Sequence, residues 1–530
     1  MSNDPTESTA TSYRRARWLL HPFLFALLPV ISLYSFNIVE IGPAAVLRSA
    51  IVVLAGAALM VVILRRVWRD TRPAALFASL TLILMFAYGH VYYGLVPEAT
   101  QGLLHRTGLI GDHRLLLAIG LVILAFGAFV VWRTRLLWDF SNRLLNWVAL
   151  GATLLPVVHI VSAEWSLHRP WPGAAEPLAA EAPATAPDIY YIILDGYARA
   201  DVLEDIYGIS GEEFLDGLRE LGFYVASESH SNYGQTSLSL ASSLNMRYLD
   251  FLTPVVGATS PDRIPLERLI HYSQVRSFLE SQGYSMVAIA SGYRMTEPGG
   301  VDVFLRPRQG AINGFEALLL ETSVAVAGFD LAESLGSPRP FLGFEAHREI
   351  VLHALEELPQ LAAMEGPKFV FVHIVGPHPP FVFGQNGERV FHNYNYSFKD
   401  GDAFPGTREQ YLEGYRDQVR YLSDRVLQVL RSILEQSPTP PVILLQADHG
   451  PGSRLDWESP EGSDLRERFS ILNAYRLPAA EQGALYASIS PVNSFRVVFN
   501  TYFGARLQLL PDQSYFAYWD RPYDFLEIAP

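Results

Sequence analysis

The stretch Ile189–Leu194 reads IYYIIL and ends at Asp195. Three similar apolar runs follow it along the chain: Met286–Ala290 (MVAIA), Phe369–Val372 (FVFV) and Val442–Gln446 (VILLQ). From residue 188 onward such short, β-rich runs alternate with helical patterns, which is typical of a mostly parallel sheet covered by helices. We therefore expect an α/β domain with a mostly parallel central sheet over residues 188–530.

Residues that can bind a metal follow three of these runs. Asp195 ends the first run, His373 and His378 follow the third, and Asp448 and His449 follow the fourth. In open α/β sheets ligands bind beyond the carboxyl ends of the strands, and carboxylates with imidazoles suit a divalent ion such as Mn²⁺ or Zn²⁺. Taken singly, Asp195-Gly196 and Asp448-His449-Gly450 are each more often part of a turn. Their repetition after several buried-looking strands favours a metal site.

A helix rich in hydroxyl groups supplies a candidate nucleophile. Leu238, Leu240 and Leu244 mark the helix, and Thr236 lies near its start. A helix N-terminus suits a phosphate or sulfate oxygen, and a metal-bound hydroxyl is a competent nucleophile. Capping the helix is a commoner role for Thr236 or Ser237, so this segment alone favours the cap.

Long apolar runs dominate the first 165 residues. Five of them reach the roughly 20 residues that a helix needs to cross a bilayer core: Trp18–Val39, Ala44–Leu64, Ala74–Leu95, Leu115–Trp132 and Leu144–Ser162. The alternative, buried helices of a soluble domain, does not account for the arginine-dense loops between the runs. We expect an α-helical transmembrane bundle of five spans over residues 1–165.

Arginine placement predicts the orientation of this bundle. Arginines cluster before the first span and after the second and fourth: Arg14, Arg15, Arg17, Arg65, Arg66, Arg69, Arg72, Arg133, Arg135 and Arg143. The positive-inside rule then places the N-terminus in the cytoplasm, and five crossings place the later domain in the periplasm or outside the cell. We expect a multi-pass protein of the cell's inner membrane.

The remaining composition excludes several functions. The stretch Pro170–Pro187 is rich in Pro and Ala and predicts a semi-rigid linker over residues 166–187. The net charge of −14 disfavours nucleic acid as a partner. The absence of cysteine excludes disulfides, thiolate metal sites and cysteine nucleophiles.

Four motifs follow one another across nearly all of residues 188–510. They are Ile193-Leu194-Asp195-Gly196, Asn232-Tyr233-x-x-Thr236-x-x-Ser239-x-x-Ser242, His373-x-x-x-x-His378-x-Pro380-Phe381 and Ala447-Asp448-His449-Gly450. Their order and spacing resemble the alkaline phosphatase/sulfatase superfamily. Five spans followed by such a domain resemble its membrane-anchored group, the lipoteichoic acid synthases and phosphoethanolamine transferases.

The resemblance implies one catalytic metal held by Asp195, Thr236, Asp448 and His449, which is Mn²⁺ or Zn²⁺, with Mg²⁺ as a third option. It also implies that Thr236 is the nucleophile and that His378 contacts the substrate headgroup. Further candidates for headgroup contacts are Asn232, Arg247, Tyr293 and Arg294. The pattern Tyr411-x-x-x-Tyr415-x-x-Gln418-x-x-Tyr421-x-x-Asp424 matches a family helix for which we expect a packing role.

Departures from the family pattern narrow the chemistry. Asp195 stands where lipoteichoic acid synthases usually have Glu, which weakens the case for a glycerol-phosphate substrate. Neither Cys nor a following Pro and Arg accompanies Thr236, so sulfate-ester hydrolysis is disfavoured. No histidine follows His449, which favours one metal over two.

These features predict an enzyme that transfers a phosphoryl headgroup from a membrane phospholipid or glycolipid to an envelope glycan or lipid. Two alternatives stay open. The first is a phosphodiesterase or phosphonate hydrolase of the same fold, because hydrolysis shares the first half-reaction. The second is a non-catalytic envelope scaffold or sensor, against which the intact ligand set argues.

Overall fold

The computed structural model describes residues 18–95, 113–167, 178, 186–307, 312–334, 342–392, 394, 396–479 and 483–529. Most of the predicted linker 166–187 and the arginines before the first span lie outside these ranges. The chain divides into a helical unit (Met1–Phe36, Val46–His159 and Leu319–Pro338) and an α/β unit (Asn37–Ala45, Ile160–Leu318 and Arg339–Pro530). Residues 319–338 thus group with the helices, although the predicted catalytic domain runs from 188 to 530.

Long apolar helices form the N-terminal part. Their bounds are His21–Phe36, Leu47–Trp68, Thr71–Leu95, Arg114–Arg133 and Trp138–Leu167. Among the described residues, four of these helices are long and apolar enough to cross a membrane, and the apolar helix His21–Phe36 is shorter. Its 16 residues span about 24 Å, less than the roughly 30 Å of a hydrocarbon core. The predicted transmembrane bundle is confirmed, with four full-length helices and one shorter helix.

A buried polar cluster joins three helices of this unit. The ring of His21 is fully buried, with Nδ1 2.6 Å from Ser79 Oγ and Nε2 2.8 Å from Asn142 Oδ1. Asn146 Oδ1 accepts hydrogen bonds from the backbone amides of Leu20 and His21 at 3.0 and 2.9 Å. Because buried polar groups need partners, this cluster fixes which residues of the three helices face one another.

The α/β unit is built on a seven-stranded sheet within the described chain. Its strands are β1 Ile189–Leu194, β2 Tyr224–Val225, β3 Ser285–Ile289, β4 Val303–Leu305, β5 Lys368–Ile374, β6 Val442–Gln446 and β7 Asn473–Arg476. They lie in the order β2-β7-β6-β1-β5-β3-β4. Strands β6, β1, β5, β3 and β4 are parallel, and β7 and β2 form antiparallel pairs at one edge. The mostly parallel sheet is confirmed.

The helices of this part and a second, two-stranded sheet complete the unit. The helices are Ala200–Tyr207, Glu212–Glu220, Thr236–Asn245, Thr253–Val256, Ile264–His271, Gln274–Ser281, Gly314–Glu321, Leu342–Glu357, Arg408–Gln436, Leu465–Phe469 and Pro491–Phe503, and Ala325–Ser334 lies in the segment that groups with the helical unit. The small antiparallel sheet pairs β8 Ser514–Ala517 with β9 Phe525–Ile528.

The central strands read as continuous apolar runs because both faces of the sheet are covered. Every residue of β1, β5 and β6 is buried. Tyr190 and Ile192 enter one hydrophobic cluster, whereas Tyr191 and Ile193 enter another. Successive strand residues point to opposite faces, so the two clusters are two layers of core.

An ion pair at the amino ends of the central strands holds their register. Lys368, at the start of β5, is fully buried, and its Nζ lies 2.5 Å from Asp188 Oδ2, just before β1. The backbone of Asp188 also accepts a hydrogen bond from Val442 at the start of β6. One residue therefore links three adjacent strands at the edge opposite to their carboxyl ends.

We expect Lys368→Met to lower the free energy of unfolding by about 3 kcal/mol, because Asp188 would remain buried without its partner. Denaturant unfolding of the full chain in detergent, followed by tryptophan fluorescence, measures this. Lys399→Met is the matched control, because the only other lysine is exposed. Equal effects of the two changes would contradict the assigned role.

Candidate active site

Three side chains from two adjacent strands meet at the carboxyl edge of the sheet. Asp195 follows β1, and Asp448 and His449 follow β6, which pairs with β1. Their ligand atoms lie within 4.8 Å of one another, and all three residues are buried. Gly196, with a φ of 72°, turns the chain after Asp195, so that its amide donates to Asp448 Oδ1 at 3.2 Å. The structure thus brings these three predicted ligands together.

The free atoms of this cluster fit a divalent metal ion. Asp195 Oδ1 and Asp448 Oδ2 are buried and have no hydrogen-bond partner among the described residues. Buried carboxylate oxygens of this kind are costly unless a cation binds them. His449 Nδ1 donates to Gly450 O at 2.9 Å, so the lone pair of Nε2 faces the two carboxylates at 3.6 and 3.4 Å. Such an orienting bond is typical of metal-binding histidines.

Thr236 directs its hydroxyl toward this cluster. It is the first residue of the helix Thr236–Asn245, and Gln235 takes the capping position before it. Thr236 Oγ1 lies 3.1 Å from His449 Nε2. Arg263 Nη1 bonds the side chains on both sides, Gln235 Oε1 at 2.8 Å and Ser237 Oγ at 3.0 Å. The hydroxyl is therefore held beside the metal donors, at a helix N-terminus.

The charges around the site favour the protonation states in which its donors bind a cation. Burial raises the pKa of Asp195, but His378, His373 and His449 together lower it well below its ordinary value. Burial and the charge of Arg468 lower the pKa of His449. A charged carboxylate and a neutral imidazole are the forms that metal binding requires.

Two charged residues that the sequence analysis missed complete the site. Arg468 is only 2% exposed, and its guanidinium donates to Asp400 Oδ2 at 2.6 Å and to Gly234 O at 2.8 Å. Arg468 Nη2 lies 3.3 Å from His449 Nε2. Burial raises the pKa of Asp400, but Arg468, His378, His449 and the hydrogen bond from Tyr411 together lower it below its ordinary value. The site therefore contains a buried cation of its own.

The sequence offers only a weak signal for these two residues. Arg468 stands directly before the apolar run Phe469–Leu472, and a cation entering a core needs a partner. Asp400 lies in a polar loop between β5 and the helix Arg408–Gln436, where an acidic residue is ordinary.

His378 lies between Asp195 and Asp400. Its backbone amide donates to Asp195 O at 2.9 Å, and its Nδ1 bonds Pro379 O at 2.5 Å. This leaves Nε2 facing Asp400 Oδ2 at 3.6 Å. Burial lowers the pKa of His378, but Asp195 and Asp400 raise it above its ordinary value.

His373 supports Asp195 from the neighbouring strand. The residue is 1% exposed, and its Nε2 lies 3.3 Å from Asp195 Oδ2. Its Nδ1 lies 2.9 Å from Thr296 Oγ1, so both ring nitrogens face polar atoms. His373 Nε2 is therefore buried beside the Asp195 carboxylate without forming a hydrogen bond among the described residues.

One face of the helix Arg408–Gln436 holds the loops of the site. Residues four and seven positions apart share that face. The bonds are Tyr411 OH to Asp400 Oδ1 at 2.8 Å, Tyr415 OH to Gly196 O at 2.9 Å and Gln418 Nε2 to His378 O at 3.1 Å. A packing role was expected for this helix. These contacts show that it also positions three residues of the site.

Two of the residues predicted to contact the headgroup, Asn232 and Arg247, contact other parts of the protein instead. The side chain of Asn232 is fully buried and bonds Ser490 Oγ, Gln513 O and the amide of Val492. Arg247 is exposed and stacks on Phe251, with its guanidinium carbon 3.6 Å from the ring centre. Arg247 follows the far end of the helix that Thr236 begins, about 15 Å along its axis. The structure does not bring these two residues to the metal donors.

The other two residues predicted to contact the headgroup, Arg294 and Tyr293, have different surroundings. Arg294 is buried in ion pairs with Glu164 and Glu267, at 2.6 and 2.7 Å. Tyr293 lies near enough to the site for the charge of Asp195 to act on it, although burial is the main reason that its pKa is raised. Tyr293 is therefore the better placed of the pair for a substrate contact.

We expect the purified chain to bind one divalent ion and Asp448→Asn to lose most of it, because the change removes a charged donor. Metal content after dialysis, measured by mass spectrometry, tests this. Asp205→Asn is the matched control, because Asp205 is a surface carboxylate paired with Arg466. Two ions per chain, or equal content in both variants, would refute the assigned donor set.

This chain is similar to known proteins both by a sequence-family model and by structure. A family model described as Sulfatase matches residues 187–486, more than half of the chain. Similar solved structures include the C-terminal periplasmic domain of EcEptC from Escherichia coli (12% identity, TM-score 0.39, 67% of this chain and 96% of that chain) and the integral membrane protein lipooligosaccharide phosphoethanolamine transferase A (EptA) from Neisseria meningitidis (13%, 0.39, 91% and 95%). Another is BT1596, a 2-O GAG sulfatase (13%, 0.40, 62% and 72%).

No curated protein matches the sequence. The family model covers both strands that carry Asp195, Asp448 and His449, together with Thr236 and the loop of His378. The chain belongs to the sulfatase family, in the alkaline phosphatase/sulfatase superfamily that its motifs predicted.

Proposed function

We propose that this protein is a membrane-anchored, metal-dependent transferase that moves a phosphoryl headgroup from a lipid donor to an envelope glycan or lipid. The observation that carries the proposal is the position of Thr236, whose Oγ1 lies 3.1 Å from His449 Nε2 at the first turn of a helix. A nucleophile, a helix N-terminus and buried donors for a cation surround one point. These three elements suit displacement at phosphorus, because they activate the nucleophile and bind the phosphoryl oxygens.

Asp195, Thr236, Asp448 and His449 would hold a single divalent ion, Mn²⁺ or Zn²⁺, with Mg²⁺ as a third option. When bound, the ion lowers the pKa of the Thr236 hydroxyl and neutralises charge on the phosphoryl oxygens. Three oxygen donors and one imidazole are compatible with each of these ions. The lack of a later histidine supports one ion.

The chain's own residues would carry out the transfer in two steps. The ionised Oγ1 of Thr236 forms a bond to phosphorus as the bond from phosphorus to the lipid alcohol breaks, which gives a phosphothreonine. His378 Nε2 donates a proton to the departing alcohol, since Nδ1 is bonded to Pro379 O. The acceptor hydroxyl then attacks phosphorus, returns its proton to His378 Nε2 and releases the Thr236 oxygen.

Arg468 supplies a second positive charge to this chemistry. Asp400 and Gly234 fix its guanidinium through two hydrogen bonds, and Nη2 remains near His449 Nε2. A guanidinium held in this way can donate to a phosphoryl oxygen as negative charge develops. It provides the charge stabilisation that a second metal ion provides elsewhere.

We expect Arg468→Lys to lower kcat by about 100-fold, because an ammonium cannot keep the bonds to Asp400 and Gly234 and still reach the phosphoryl group. Headgroup release from a labelled phospholipid gives kcat, and metal content should stay at the wild-type value. Arg466→Lys is the control two residues away, since Arg466 is 43% exposed and pairs with Asp201 and Asp205. A fall in metal content that accounts for the lost activity would assign Arg468 a structural role instead.

The helical unit suits a lipid donor. We propose that it lies in the inner membrane with a cytoplasmic N-terminus, because Arg65, Arg66 and Arg69 end one apolar helix and Arg133 and Arg135 end another. Under this orientation the catalytic unit is periplasmic or extracellular. Anchoring then restricts the enzyme to the surface where its donor lies.

The decisive experiment uses the full chain in lipid nanodiscs with a headgroup-labelled phospholipid. We expect a labelled phosphothreonine at position 236, which mass spectrometry detects, and its discharge on addition of an envelope glycolipid. Thr236→Ala should abolish the adduct and turnover, and Ser239→Ala, one turn along the same helix, should retain both.

Two other results would support the alternatives. Rapid release of headgroup to water, with no gain from the acceptor, indicates a hydrolase of the same fold. No adduct and no turnover from metal-loaded protein, together with a normal envelope in cells carrying Thr236→Ala, indicates a scaffold or sensor.

A further inference from the structure

A segment that follows the sheet's fourth strand belongs to the helical unit. The chain passes from the α/β unit into the helical unit at Leu319, and the described residues from Leu342 onward belong to the α/β unit again. The described part, Leu319–Ser334, contains the end of one helix, a turn and the helix Ala325–Ser334. We call it the docking segment.

The docking segment contacts the apolar helix Thr71–Leu95 through its backbone. The amide of Gly89 donates to Thr322 O at 3.1 Å, and the amide of Val324 donates to Met85 O at 2.8 Å. A Cβ at position 89 would lie 2.4 Å from the carbonyl carbon of Thr322. Only glycine permits this close approach.

Polar side chains fix the other end of the docking segment. Asp330 Oδ2 lies 2.7 Å from His113 Nε2, and His113 Nδ1 lies 2.9 Å from Tyr88 OH. The rings of Tyr92 and His113 stack at 4.1 Å. Asp330, one of the three acidic residues of the segment, is thus paired within the helical unit.

The contact lies in the second half of a helix that is long and apolar enough to cross a membrane. Met85 and Gly89 are roughly 21 and 27 Å from the start of the helix at 1.5 Å per residue, within the thickness of a hydrocarbon core of about 30 Å. Non-helical backbone occurs at such depth only where protein groups satisfy it. The two backbone bonds between the segment and the helix meet that requirement.

The docking segment is mostly apolar and carries no basic residue. Neither lysine nor arginine occurs between residues 312 and 334, and the charged residues of the segment are Glu321, Asp330 and Glu333. Val326 and Ala327 pack against Tyr88, whereas the side chain of Leu331 is 60% exposed. The contacts with Met85 and Gly89 place the turn Thr322–Val324 beside the apolar helix, and we expect the exposed Leu331, on the helix that follows, to face acyl chains rather than water.

We propose that the docking segment is a re-entrant element that dips into the membrane and presents Leu331 to lipid acyl chains. The catalytic part of the chain is then joined to the membrane at residues 319–334 as well as through the last long helix. This inference does not depend on the reaction at Thr236.

The absence of cysteine makes a direct test available. In proteoliposomes, we expect the single thiol of Leu331→Cys to react with a membrane-impermeant maleimide about tenfold more slowly than that of Leu526→Cys, because the reactive thiolate needs water. Rates are normalised to those after detergent addition. Leu526 is the control, since it is 44% exposed on β9. A fluorophore at 331 should be quenched by brominated acyl chains. Equal labelling of both sites, with no quenching at 331, would overturn the proposal.

A second pair of variants tests the backbone contact. Gly89→Leu, introduced with Leu331→Cys, should raise labelling at 331 toward the control rate. Gly94→Leu should leave labelling unchanged, because in the described part of the chain no atom beyond its own helix backbone and chain neighbours lies within 4 Å of a Cβ there. Identical labelling in the two backgrounds would show that Gly89 does not hold the segment. If Gly89→Leu does not fold, labelling and quenching in the Leu331→Cys chain alone still decide the proposal.

Discussion

Two carboxylates, Asp195 and Asp448, are buried side by side at the carboxyl ends of β1 and β6, and the site depends on how their charge is balanced. In a low-dielectric interior such a pair would hold a proton between them unless cations were near. His373, His378 and His449 surround Asp195 and lower its pKa. One oxygen of each carboxylate still has no hydrogen-bond partner among the described residues, and that is where a metal ion fits.

The same constraint explains the pairing of Arg468 with Asp400. A guanidinium near the donor nitrogen of His449 would repel a bound cation, and Asp400 reduces that repulsion by accepting from Nη1 at 2.6 Å. Asp400 in turn is held by Tyr411, whose helix also holds the loops of Asp195 and His378 through Tyr415 and Gln418. A long helix on one face of the sheet therefore sets the separation between metal donors and guanidinium. With a metal ion bound at the donors, the arrangement would suit an anionic group placed between that ion and Arg468.

Much of the architecture could be predicted because burial on both faces of a sheet leaves a simple record in sequence. The strands β1, β5 and β6 are mostly apolar and fully buried, and a polar residue of the site follows β1 directly, lies within β5 and follows β6 after Ala447. Local patterns could not distinguish a capping threonine from one directed at His449, because that depends on contact across 213 residues. Arg468 and Asp400 are 68 residues apart and meet only through the fold. Arg294 follows a core strand, but it pairs with Glu164, which is 130 residues away.

The contact of residues 319–334 with the helical unit could not be predicted from the sequence, for a related reason. Each of their helices is too short to register as a span, and the bonds that join them to Thr71–Leu95 come from the backbone, which leaves no side-chain pattern. The informative residue lies in the partner helix instead. Glycine within a helix costs roughly 1 kcal/mol relative to alanine, so each glycine there needs a compensating contact or a tolerant site. Of Gly89 and Gly94, only Gly89 has backbone against the position of its missing Cβ. A glycine in an apolar helix can therefore mark where a distant part of the chain enters the membrane.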